Sequence, residues 1–347
     1  RYSSDSRNRS LFSNNICIYK FNSGFAIRHI RSKNKNYEGS IDMSFFHRLF
    51  DRSRLYKEIG IIEELESTSF YQDAWKRLKK NKIAMLSLIV VILLALIAIF
   101  APMIAPYEPE YQDVYNILQP PSKSHLLGTD HLGRDILSRI IFGARVSLSV
   151  GIVAEAIAVT IGVIMGSLAG FYGGIVDTII SRLIEILSSF PFILFAISIM
   201  FVLGPGIINV FIAIGIIGWT GLARLIRGQI IQLKEKEYIE AAKASGAKDR
   251  RIIFKHLIPN CMSTIIVIIT LDIPADIMVE ATLSYIGLGV QPPTASWGDM
   301  INAAKAFIRQ NPYYSIFPGI AIMITVLAFN TLGDGLRDAL DPKLKNL

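Results

Sequence analysis

The stretch IAMLSLIVVILLALIAIFA, residues 83–101, runs for nineteen residues without a charge. At about 1.5 Å per helical residue it is long enough to cross a hydrocarbon core of roughly 30 Å. Immediately before it, FYQDAWKRLKKNK at residues 70–82 places Lys76, Arg77, Lys79, Lys80 and Lys82 at a membrane surface, with Tyr71 and Trp75 at headgroup depth. A chain of 347 residues that is 52% hydrophobic and carries such a run reads as an integral membrane protein rather than as two soluble domains.

Five more candidate spans follow, at about residues 146–170, 183–203, 207–223, 261–281 and 316–333. The expected fold is therefore all-α and integral to the membrane, with six transmembrane helices and both termini on one side. Gly162, Gly166 and Gly170 are four apart, so they share one helix face on which a neighbouring backbone can approach closely. Pro191 and Pro274 are expected to kink their helices.

The formal net charge of +8 suits either nucleic acid or a membrane surface, and its distribution decides between them. Thirty of the 36 Lys and Arg fall in the tail up to residue 82, the turn at 171–182, the loop at 224–256 and the C-terminal tail. The other six fall in the intervening segments on the opposite side. Such asymmetry puts both termini and the central loop in the cytoplasm, and it accounts for the charge without a nucleic-acid partner. Residues 1–69 differ in composition, and the first forty read as disordered.

The central loop, LKEKEYIEAAKASGAKDRRIIFKHLIPN at residues 233–260, interrupts the apolar pattern. Residues 234–244 favour helix and Ser245-Gly246 supplies a stop; a second short helix at 248–257 is expected to end at Pro259. The result is a two-helix knob on which Ala241 and Ala242 allow close approach, while Glu240 offers a charged contact at the rim.

These residues carry a resemblance. Glu240-Ala241-Ala242, then Gly246, then His256-Leu257-Ile258-Pro259 resembles the EAA motif of bacterial ABC importer permeases, and His256 matches the variant of the peptide and nickel branch. LLGTDHLGRDILSRIIFGARVSLSVG at 126–151 and EATLSYIGLGVQPPTASWGDM at 280–300 are similar to the C-type permease subunit of dipeptide and oligopeptide importers. The resemblance spans about residues 70–342. It implies a type I ABC importer permease fold: an anchor, first span and outer loop at 70–145, a transmembrane domain at 146–334 with its coupling loop at 231–259, and a cytoplasmic tail at 335–347. It also implies that Glu240, Ala241, Ala242, Gly246, His256 and Pro259 dock on a cytoplasmic ATPase. The implied assembly has a homologous second permease, two ATPase subunits that bind ATP and Mg, and an extracytoplasmic solute-binding protein, set in the bacterial cytoplasmic membrane. The implied cargo is a di- or oligopeptide, with nickel or another small solute as the alternative.

No catalytic residue is expected in this chain, which has no Gly-x-Ser-x-Gly, no paired helical His-Glu motif and no Walker sequence. Gly128-Thr129-Asp130 and Gly133-Arg134-Asp135 lack the strand and the Gly-Lys-Ser/Thr of a phosphate loop, and they read as an outer turn leading to an amphipathic helix through Ser138 and Arg139. Neither His125 with His131 nor Cys17 with Cys261 has metal-ligand spacing, so no metal or bound cofactor is expected.

Besides Glu185, four acids lie within the apolar spans. Asp272, Asp276 and Glu280 are four apart on one helix face, and Glu155 stands in the second span without a local cation. Each such charge costs roughly 2.5–3.5 kcal/mol on insertion scales, so these groups are expected to meet protein or water. One reading places all four on a translocation path that favours an ammonium group. The other leaves Glu280 wet at the outer end and pairs Asp272 with a neighbouring subunit. A secondary transporter or channel that moves protons or ions through these acids is the alternative from a different class. Glu185 is expected to pair with Arg182.

Overall fold

The computed structural model describes residues 16–21, 24–29 and 70–341. The chain divides into two units, 1–67 and 68–347. In the first, β1 (Ile16–Phe21) and β2 (Gly24–His29) pair antiparallel, with Ile16 opposite His29 and Phe21 opposite Gly24. The expectation of disorder over the first forty residues is corrected for these two strands. ICIYKF and GFAIRH are rich in β-branched and aromatic residues, and the turn-prone pair Asn22-Ser23 separates them. The remainder of the 1–69 extension lies outside the described residues.

The second unit is helical. Its first helix, α1 (Phe70–Lys80), has an acid in its first turn and bases in its last, and it buries Ala74 and Leu78 while Trp75 stays exposed. The Asn81 side chain caps α2 (Lys82–Ile99) by accepting from Ala84 N at 3.1 Å. One side of α2, including Ile83, Leu86, Ile89 and Leu93, is exposed, as expected of a lipid-facing helix. The turn α3 (Ala101–Ile104) follows.

The bundle is built around α4 (Ile136–Tyr172), 37 residues long and capped by Asp135, which accepts from Ser138 N at 2.8 Å. It packs along α7 (Ile207–Leu233) through the expected glycine face. A Cβ added at Gly166 would lie 2.6 Å from Ala223 O, and one at Gly162 or Gly170 would meet Trp219 O at 3.0 Å or Arg227 O at 2.8 Å. Only glycine lets the two backbones come this close.

Between these helices the expected third span, 183–203, is not one helix. It is split between α5 (Gly174–Ser188) and α6 (Phe192–Leu203), which meet at 88° across Ser189, Phe190 and Pro191. Pro191 does more than kink the helix. Without an N–H it cannot extend α5, and its fixed φ suits the start of α6. Among the described residues five helices are each long and apolar enough to span, or six spans if this bent pair counts as one. On α6, Ala196 and Met200 pack against Val210, Ala213 and Ile214 of α7.

Downstream come α8 (Glu237–Ala244), α9 (Asp249–Ile252), α10 (Ile258–Tyr285), α11 (Trp297–Ala304) and α12 (Tyr313–Leu340). Pro274 and Pro318 lie inside α10 and α12 without ending them. Helix α12 returns alongside α2, where Ser87 Oγ donates to Thr331 Oγ1 at 2.8 Å, and a Cβ on Gly335 would reach 2.3 Å from Ala84 Cβ. Arg77 donates to Asp341 O at 3.3 Å, so α1 and the end of α12 lie together.

The end of the bundle opposite α8 and α9 is closed by polar side chains. Asp130, fully buried, accepts from Leu132 N at 2.8 Å, Arg134 N at 2.9 Å and Arg134 Nε at 2.6 Å. Arg139 lies 3.7 Å from both Asp130 and Asp299 and donates to Pro109 O at 3.1 Å. Asn311 donates to Thr129 O at 3.2 Å, and the Trp297 indole donates to Ile140 O at 3.0 Å. Ser138 and Arg139, expected on an amphipathic helix leading into the second span, lie in the first turn of α4 and are wholly buried. Arg139 points inward because its carboxylate partners do.

Candidate functional site

The central loop folds into a small knob held by apolar pins. Ile239 on α8 and Ile252 on α9 are fully buried, and they join Leu222, Ile226, Ile230, Leu257 and Cys261 in one cluster. Gly246 turns the chain between the helices at φ +78°, a left-handed conformation that side-chain-bearing residues adopt at a cost. Ala247 N closes the turn on Ala242 O at 3.1 Å. The knob is tied to the end of α4 by Lys234 Nζ, which donates to Gly170 O at 3.0 Å, and by Lys243 Nζ, 5.6 Å from the Phe171 ring centroid.

The first knob helix begins at Glu237, later than residue 234, because α7 runs on to Leu233. The second was expected to end at Pro259, and that is corrected. Residues Ile253–Leu257 form a π turn that leads straight into α10, with Pro259 in its first turn. Ile258 N reaches back five residues to Ile253 O, and this wider turn passes the proline without the clash that a regular α-helix would impose.

Glu240, Ala241, Gly246 and Pro259 are exposed, while Ala242 and His256 are half-buried. The sequence reading missed Tyr238 and Phe254, which are 44% and 60% exposed on the same knob, with the Arg250 guanidinium 5.9 Å from the Phe254 ring centroid. An aromatic residue in an otherwise polar loop was the available signal. Its exposed residues combine small side chains, aromatic rings and charges, a composition suited to protein docking.

The acids of the membrane segments separate into two places. Glu155 of α4 and Asp272 and Asp276 of α10 line one cavity of about 230 Å³, whose other walls include Phe192 at the start of α6 and Gly218 of α7. Glu155 and Asp276 are buried, Asp272 is half-buried, and Asp276 Oδ2 has no hydrogen-bond partner among the described residues. Helical spacing unites Asp272 with Asp276, but nothing in the sequence shows that Glu155 faces them.

Glu280 does not line this cavity. It is wholly buried among serines, accepting from Ser284 Oγ at 2.7 Å and Ser147 Oγ at 3.3 Å. Ser284 also accepts from Val290 N at 3.2 Å, and Ser147 from Trp297 N at 3.4 Å, so this carboxyl joins α4, α10 and the start of α11. The reading of Glu280 as a wet helix end is therefore corrected.

The remaining polar candidates have local partners. His125 Nδ1 lies 2.9 Å from Asp135 Oδ1, and His131 stacks on Phe307 with its Nδ1 3.2 Å from Tyr314 Oη. Burial holds the His131 imidazole below its ordinary pKa, with Asp130 opposing and the nearby arginines reinforcing the effect. The Arg182–Glu185 pair forms as expected, at 2.6 Å on an exposed face.

Comparison with known proteins matches residues 69–121 to the N-terminal TM domain of oligopeptide transport permease C. The dipeptide transport system permease protein DppC of Bacillus subtilis (strain 168) is 47% identical over 280 residues, covering 80% of this chain and 88% of that protein. The glutathione transport system permease protein GsiD of Shigella flexneri serotype 5b is 46% identical over 301 residues, 86% of this chain and 99% of that protein. Among solved structures, an inward-facing conformation of the MetNI methionine ABC transporter is 19% identical with a TM-score of 0.48, covering 59% of this chain and 98% of that one. Residues 158–346, which contain the knob, Asp272, Asp276 and Glu280, match the binding-protein-dependent transport system inner membrane component. With relatives of this identity aligned along most of their length, the chain belongs to that family of multi-pass ABC transporter permeases.

Proposed function

We propose that this chain forms half of the transmembrane pathway of an ATP-driven peptide importer and takes its drive through the α8–α9 knob. The observation that carries the reading is the knob itself: a polar surface pinned into the bundle by Ile239 and Ile252 and continuous with α10. A force applied to it reaches the wall of the acidic cavity through unbroken helix. Peptide and glutathione are the cargoes named for the similar permeases, and they support a peptide cargo here.

In this reading Glu240, Ala241, Ala242, Gly246, His256 and Pro259 meet an ATPase subunit, with Tyr238 and Phe254 adding apolar contact. ATP and Mg are held by two such subunits. A homologous permease completes the pathway, and a solute-binding protein delivers the peptide on the opposite side. The excess of Lys and Arg around the knob supports its cytoplasmic placement, with both termini on that side.

The test is uptake of a radiolabelled dipeptide by cells that carry or lack this chain. Uptake should depend on the chain, survive a protonophore at maintained ATP, and stop when ATP is depleted. An affinity-tagged copy should co-purify with an ATPase. Uptake that follows the proton gradient instead, with no ATPase bound, would overturn the proposal.

A further inference from the structure

The cavity between α4, α6, α7 and α10 is not explained by coupling. We infer that Glu155, Asp272 and Asp276 form a transit site for the protonated amino group of the cargo, a deepening that rests on the peptide-importer reading above. The site draws its members from separate elements: one carboxyl from α4, two from α10, the Phe192 ring from the start of α6, and the bare backbone of Gly218 from α7.

The acids are not there to hold the bundle together. Glu280, one turn further along α10, is hydrogen-bonded by serines on both oxygens. Asp276, 7% exposed, instead leaves Oδ2 without a partner while lining the cavity. A buried carboxyl oxygen with no donor carries a desolvation cost that an arriving cationic donor removes. Among the described residues no Lys or Arg lines this cavity to neutralise the three acids.

The geometry also selects the kind of cation. Among the described residues no three His, Cys, Asp or Glu groups converge closely enough to hold a metal ion. A spread set of carboxyls beside an aromatic ring suits an ammonium group, which donates three diverging hydrogen bonds and is attracted to a ring face. A cavity of about 230 Å³ has room for the amino-terminal residue of a peptide but not for a long one, as befits a point that the chain threads through.

The experiment uses the complete complex with its binding protein in proteoliposomes, and compares Ala-Ala with its desamino analogue, each presented at saturating loading of the binding protein. In the unsubstituted complex the free amine should cross faster. Asp276→Asn and Glu155→Gln should each slow the amine by about tenfold, the scale of one lost charge-assisted contact, and bring the two rates together. ATP hydrolysis stimulated by the loaded binding protein should persist, which shows that assembly and coupling survive, and Asp276→Glu should restore part of the difference. Equal slowing of both peptides, or no change in either, would overturn the inference while leaving the importer reading intact. A dependence on sodium that the variants abolish, with the amine preference unchanged, would overturn it in favour of an inorganic cation. Failure of the unsubstituted complex to move either peptide would count against the importer reading itself.

Discussion

Asp130→Ala tests whether the end of the bundle opposite the knob is held by buried charge. In the structure Asp130 is wholly buried and takes hydrogen bonds from two backbone N–H groups and from Arg134 Nε, with Arg139 Nε 3.7 Å away. Removing it leaves two buried guanidinium groups with Asp299, 3.7 Å from Arg139, as the one ion-pair partner left to them among the described residues. Breaking one partner of a buried pair costs about 3–5 kcal/mol. At about 2–4 °C per kcal/mol for a chain of this size, the loss should lower the apparent unfolding midpoint by roughly 10 °C. The assay is thermal unfolding of the detergent-extracted complex, followed by loss of the monodisperse peak on size exclusion. The double variant Asp130→Ala/Arg134→Ala should lose less than the sum of the two single changes, because it also removes a cation that would otherwise be stranded. A midpoint for Asp130→Ala within a degree of the unsubstituted protein, or strict additivity in the cycle, would refute the reasoning.

Other perturbations probe other parts. Gly166→Leu would force α4 and α7 apart where a Cβ already meets Ala223 O at 2.6 Å, and it should cost about 1–3 kcal/mol, read as reduced yield of folded complex. Gly246→Val places a β-branched residue at φ +78°, where the open space around it leaves the rest of the bundle untouched; insertion should be normal, whereas ATPase co-purification or uptake should fall. Glu280→Ala should destabilise more than Glu280→Gln, because the amide still accepts from Ser284, and the two can be ranked by thermal midpoint. The His131 imidazole binds its proton below the ordinary value of 6.5, so as pH falls below that value the unfolded chain takes up more protons and stability declines. His131→Phe keeps the stacking on Phe307, and its midpoint should fall less steeply with acid.

What could be read from the sequence was whatever repeats with a helix period. The glycines of α4 announced a close seam, and the basic cluster before α2 announced a surface. The knob was legible because its composition breaks the apolar pattern. Events that depend on a partner distant in sequence were not legible. Glu280 lies in register with Asp272 and Asp276, yet it is drawn into a serine cluster by Ser147, which is 133 residues away. An amphipathic helix through Arg139 is legible, but its burial is not, because its carboxylate partner Asp299 belongs to another element. Pro191 and Pro259 carry the same local rule and obey it differently: one permits a bend of 88°, and the other is absorbed by a widened turn.

The widened turn at Ile253–Leu257 also fixes an azimuth. Successive residues of a regular helix are spaced by about 100° around its axis, and a π turn advances the chain by less, so the five-residue turn sets the angle at which α9 leaves α10. A carboxyl about 5 Å from the helix axis moves about 1 Å for each ~10° of rotation about that axis. The knob, Asp272 and Asp276 are therefore set along one shaft, and a rigid twist of a few tens of degrees at one end would displace a carboxyl at the other by a few ångströms.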